Sequence, residues 1–65
     1  MNELNRREIE IIKYLAQGYK AKEIAKLIDL EHRTIEIYIS HIRKKLCAKN
    51  TPHVIYLASR LEILR

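Results

Sequence analysis

Between His32 and Leu46, the side chains able to do chemistry gather on one side of a projected helix. At about 100° per residue, Arg33, Ile37, Ser40 and Lys44 share a sector, with His41 at its edge. Ile35, Ile39, Ile42 and Leu46 fill the opposite sector, and Tyr38 stands at its margin. An isoleucine opposite the core stripe gains nothing from water. In a DNA major groove it would meet the methyl group of thymine. The charge follows the same surface. Residues 32–50 carry Arg33, Arg43, Lys44, Lys45 and Lys49 against Glu36 alone, whereas residues 1–31 carry six basic and six acidic side chains. The excess behind the net charge of +5 therefore sits on and just after this helix. Such a distribution predicts a surface for a polyanion.

That surface needs a scaffold, and residues 21–38 have the spacing of a helix-turn-helix. Apolar side chains fall at Ile24, Ile28, Leu30, Ile35 and Tyr38, where a short helix, a tight turn and a crossing helix require them. Ala25 is small where the two backbones must approach, and Asp29 sits where the turn calls for a left-handed residue. The flanking elements follow from their end signals. Helix 1 is capped by Asn5, with Glu8 completing a capping box; Ile9, Ile11, Ile12, Leu15 and Ala16 form its buried stripe, and Gly18 stops it. Helix 2 covers about residues 21–28 and helix 3 about 32–46, followed by a polar connection over 48–51. Helix 4 has Thr51 as N-cap and Pro52 at its first position, and runs to about Glu62. It is apolar nearly all round, through Val54, Ile55, Tyr56, Leu57, Ala58, Leu61, Ile63 and Leu64. One face can pack on helix 1. The surplus predicts a second surface, most economically a two-fold contact between copies of helix 4.

Length and composition set the class. Sixty-five residues allow one domain, and a single glycine and a single proline argue against a loop-rich or all-β design. The expectation is one all-α domain over residues 1–65, soluble and cytoplasmic, with no apolar run long enough for a membrane and no signal peptide at Met1–Asn2–Glu3. The lone Cys47 forms no internal disulfide; beside Arg43, Lys44 and Lys45 it reads as a small helix-terminal filler rather than a redox sensor. His32, His41, His53 and Cys47 lack paired metal-ligand spacing, and His32 with Glu36 on one helical turn is too little. No nucleophile, base and orienting group can be assembled, so neither an enzyme nor a cofactor is expected.

The chain as a whole resembles the C-terminal DNA-binding domain of the LuxR/GerE (FixJ/NarL-type) transcriptional regulators. Leu4-Asn5-Arg6-Arg7-Glu8 resembles the family's opening L-[T/S]-x-R-E, and Ala16-Gln17-Gly18 followed by Lys22-Glu23-Ile24-Ala25 its A-x-G…K-E-I-A. Thr34-Ile35 stands for T-V, and Ile42-Arg43-Lys44-Lys45-Leu46 for I-x-x-K-L, all without gaps over residues 4–58. The resemblance implies a four-helix tetrahelical helix-turn-helix domain with helix 3 in the major groove and helix 4 used for dimerisation. Glu8, Ile12 and Gly18 then serve as ion pair or cap, core packing and helix stop. Glu36, Ile37 and Ser40 fall on base-reading positions. Lys22, Arg33, Arg43, Lys44 and Lys45 supply phosphate contacts, and Ile55, Tyr56, Ala58, Ser59 and Glu62 the dimer face. The departures are Glu36 for the usual Lys, Glu31 and Lys20 for capping residues, Tyr38 for a frequent His and Cys47 for a frequent Gly.

The function expected is a sequence-specific, dimeric regulator of transcription that binds double-stranded DNA, with RNA polymerase or another regulator as a further partner. Glu36 and the apolar helix 4 motivate a rival from a different class, a protein-interaction module that kept the fold and lost tight DNA binding. A nearer rival is promoter recognition of the sigma factor region 4 kind, which shares the K-E-I-A…T-V layout. The opening block and the Pro52-started fourth helix favour the LuxR type.

Overall fold

Six β-branched side chains, Ile11, Ile12, Ile24, Ile35, Ile42 and Val54, are fully buried, and they come from all four helices of the chain. A computed structural model describes residues 3–63 and gives α1 (Arg6–Ala16), α2 (Ala21–Leu27), α3 (His32–Leu46) and α4 (Thr51–Arg60). The third helix is the hub: it packs on α1, α2 and α4, while α1 also touches α2 and α4. Leu15, Ala25 and Ala58 complete the buried apolar set among the described residues, Ala25 from α2, the helix that packs on α3. All of this is the all-α helix-turn-helix architecture that the sequence predicts.

The helix starts follow local chemistry. Asn5 caps α1 with its side chain accepting from Glu8 N–H at 2.8 Å, and Glu8 Oε1 accepts in return from Asn5 N–H at 2.8 Å. At α2 only half of this arrangement exists. Glu23 Oε1 accepts from Lys20 N–H at 2.8 Å, but a lysine side chain has no acceptor to return. Glu31 gives α3 no side-chain cap either. At α4 the expectation is corrected: the cap is Asn50, not Thr51. Asn50 has extended backbone and accepts from His53 N–H at 2.8 Å, while Thr51 is already helical. His53 Nδ1 accepts from Lys49 N–H at 3.0 Å, which ties the preceding loop to the same turn.

All four helices stop in one way. A left-handed residue follows the last turn, at Gly18, Asp29, Cys47 and Glu62, with φ of 95°, 54°, 55° and 61°. The next amide then reaches back five residues: Tyr19 to Tyr14, Leu30 to Ala25, Ala48 to Arg43 and Ile63 to Ala58, at 2.8–3.2 Å. Leu30, Ala48 and Ile63 turn their side chains onto the core as they do so. This motif ends α4 at Arg60, short of the expected Glu62. Two further expectations on burial are corrected. Ala16 is exposed and Ile9 half-buried, because they lie about 90° and about 110° from the centre of the Glu8–Ile11–Ile12–Leu15 stripe. Leu64, expected on the apolar surface of helix 4, lies outside the described residues.

Candidate nucleic-acid interface

The fold leaves the outer side of α3 bare. Ile35 and Ile42 are fully buried, Ile39 and Leu46 pack against the core, and half a turn away Arg33, Ile37, Ser40, His41 and Lys44 are all exposed. Ile37 is 48% exposed, an apolar tip in a polar row. Glu36 is exposed beside it, its Oε2 3.6 Å from His32 Nε2 one turn earlier. Towards the C-terminal end, Ser40, Arg43, Lys44, Cys47 and Ala48 line a shallow depression of about 300 Å³. Lys22 is exposed on α2, on the neighbouring helix of the unit. Of the expected base-reading and phosphate set, seven side chains are therefore free to meet solvent or a ligand: Lys22, Arg33, Glu36, Ile37, Ser40, Arg43 and Lys44.

Arg43 is partly committed, since its Nη2 donates to the Lys49 carbonyl at 2.8 Å. A guanidinium has five N–H donors, so this bond fixes its direction and leaves donors to spare. Lys45 is placed apart from the others. Its ammonium donates to Glu8 Oε1 at 2.8 Å, joining the end of α3 to the first turn of α1. The lysine side chain is 31% exposed and the carboxylate 3%, so the pair belongs to the scaffold and not to the outward row. Burial by itself would raise the Glu8 carboxyl. The Lys45 hydrogen bond, the Asn5 N–H, and the charges of Lys45 and His41 outweigh it and hold the group below its ordinary value.

The expected dimer face divides. Tyr56 and Ser59 are exposed on α4, and Ile55 is half-buried against the core. Glu62 is exposed but stands past the end of the helix. Ala58 is 0% exposed and inside the core, so it offers nothing to a second chain. The outer surface of α4 is also less greasy than its composition. Tyr56 stacks on His53 with centroids 6.2 Å apart, and Arg60 lies 5.9 Å over the tyrosine ring and donates to its hydroxyl at 3.1 Å. That column went unread in the sequence, although the spacing of 53, 56 and 60 puts the three on one helix face. The described residues contain no group of three or more His, Cys, Asp or Glu arranged to hold a metal ion. No helix among them is long and apolar enough to cross a membrane.

Residues 2–58 match the family model for bacterial regulatory proteins of the luxR family. The oxygen regulatory protein NreC of Staphylococcus carnosus (strain TM300) is 36% identical over 61 residues, covering 94% of this chain and 28% of that protein. The oxygen regulatory protein NreC of Staphylococcus aureus (strain JH9) is similar to the same extent, 36% over 61 residues. The chain thus spans little more than a quarter of the length of these curated relatives. No solved structure gives a significant match.

Proposed function

The chain belongs to the luxR family of bacterial regulatory proteins, and from that premise we propose that it binds double-stranded DNA sequence-specifically, as a dimer, to regulate transcription. The observation that carries the reading is the bare side of α3, with Ile37 48% exposed opposite the fully buried Ile35 and Ile42. In the proposed complex α3 enters the major groove. Ile37 meets a thymine methyl, Ser40 and Glu36 meet base edges, and Lys22, Arg33, Arg43 and Lys44 hold phosphates. Lys45, paired with Glu8, is left out of this set. The outer part of α4, with the exposed Tyr56 and Ser59 and the half-buried Ile55, supplies the two-fold contact.

Four phosphates per protomer give a slope of log affinity against log salt of about −0.9 per contact, or about −7 for a dimer. Two copies related by a two-fold axis prefer inverted half-sites about one helical turn apart. Selection from a random duplex pool, followed by gel-shift titration of the selected site at several salt concentrations, tests both. A salt-independent affinity, or a pool that never enriches, rejects the proposal.

One observation favours a second reading. Glu36 presents a carboxylate, 60% exposed, where a polyanion would sit. This supports a module that pairs with another regulator and binds DNA weakly. Glu36→Lys separates the two: it changes the enriched sequence if the wild type reads DNA, and creates binding where there was none if the wild type does not.

A further inference from the structure

Glu36 is the one acidic side chain on a surface otherwise built for an anion, and within ion-pair distance it has a single basic neighbour. His32 Nε2 stands 3.6 Å from Glu36 Oε2, with the side chains 51% and 60% exposed. No other basic side chain among the described residues reaches Glu36 at that distance, although Arg33 is only three positions away. We infer that His32 is a positioning residue that determines base specificity: it engages one oxygen of the Glu36 carboxylate and turns the other toward the exocyclic amino group of a cytosine. This rests on the DNA-reading proposal above and names what its acidic member reads.

The choice of base follows from what each one shows in the major groove. Guanine offers two acceptors and thymine an acceptor and a methyl, so both repel or ignore a carboxylate. Adenine offers an amino group beside an acceptor, and the acceptor opposes the second carboxylate oxygen. Cytosine offers the amino donor alone. An unpaired glutamate would sample several rotamers and be pushed out of the groove by phosphates on both sides. An imidazole N–H on one oxygen narrows the rotamers, in the neutral ring as well as the charged one when Nε2 carries the hydrogen; the charged ring also offsets the repulsion. Placement one turn apart on a single helix makes the contact local, so no other element has to move for it to form. A shift of less than 1 Å converts the 3.6 Å contact into a hydrogen bond.

The test uses the duplex selected by the wild-type protein, synthesised with each of the four base pairs at every position of the half-site. Wild type is expected to prefer cytosine about tenfold at one position, a ratio typical of a single good base contact. His32→Ala should cut that preference to about threefold or less, the cost of losing the fixed carboxylate. Preferences elsewhere in the half-site, affinity for unrelated duplex and the thermal melt should be unchanged. His32→Gln, whose amide donates to the same oxygen, should restore the preference. A cytosine preference that survives His32→Ala overturns the inference, as does an equal loss of affinity on all four duplexes or a failure of His32→Gln to rescue. If the wild type shows no preference at any position, the DNA-reading proposal itself fails; a specific wild type with an unaltered His32→Ala profile leaves that proposal standing and removes only this inference.

Discussion

At the scale of single residues, the Glu8–Lys45 pair is the contact with the clearest consequence for pH. Burial opposes the charged carboxylate, but Lys45, the Asn5 amide and the nearby His41 charge together lower its pKa. A group with a lowered folded-state pKa contributes stability above its unfolded value, and that stability is lost as pH falls through the folded one. Urea midpoints should therefore decline from about pH 5 downward into the acid range. Glu8→Gln should flatten this decline while keeping an acceptor for the Asn5 amide, at a cost of about 1 kcal/mol near neutral pH. An unchanged acid limb in the variant would assign the effect to other carboxylates. This pair was not legible from its own neighbourhood. Its members stand 37 positions apart, and only the docking of α3 on α1 brings them together. Asp29 and Gly18 were legible, because a left-handed residue is demanded by the turn itself. Ile37 was legible for a related reason: helical periodicity alone separates it from Ile35 and Ile42.

At the scale of elements, the helix ends are where this chain has most room for improvement. Cys47 holds a φ of 55°, a conformation in which a Cβ is strained and a glycine is not. Cys47→Gly should raise stability by about 0.5–1 kcal/mol, read from denaturant midpoints, since the left-handed cost outweighs the added freedom of the unfolded chain. At the other end of the same loop, Asn50→Ala should cost about 1 kcal/mol through the lost cap, and Thr51→Ala much less. The reverse order would restore Thr51 as the cap. The sequence placed a helix start correctly here and chose the wrong residue, because Asn50 and Thr51 are adjacent and both can cap. Only the His53 amide seated on the Asn50 side chain separates them. Helix 4 shows a harder limit. With apolar residues nearly all round, periodicity does not say which face is inside and cannot correct the resemblance, which implies an outward Ala58 that the core holds completely.

For the whole molecule, stability should be about 3–10 kcal/mol at this length, resting on a core in which the described residues place nine buried apolar side chains. Truncating a central one, as in Ile35→Ala, removes about 2–5 kcal/mol. A melt of that variant should show a much weakened or absent cooperative transition; a shift of only a few degrees would mean that the core is not centred on α3. Assembly belongs to this scale too. If α4 forms the two-fold contact, Tyr56→Glu should leave the melt of the protomer intact while sedimentation shifts toward monomer. Its binding to an inverted repeat should then fall to that of a single half-site.

The central claim is that the outward side of α3 reads bases, and one substitution on each partner tests it directly. In the selected site, each thymine is replaced in turn by uracil, which removes the methyl group and keeps the hydrogen-bonding edge. One replacement should weaken wild-type binding about fourfold, the equivalent of about 0.8 kcal/mol for one buried carbon, and should have no effect on Ile37→Ala. Wild-type affinity indifferent to every uracil, or an equal loss in both proteins, would contradict the account.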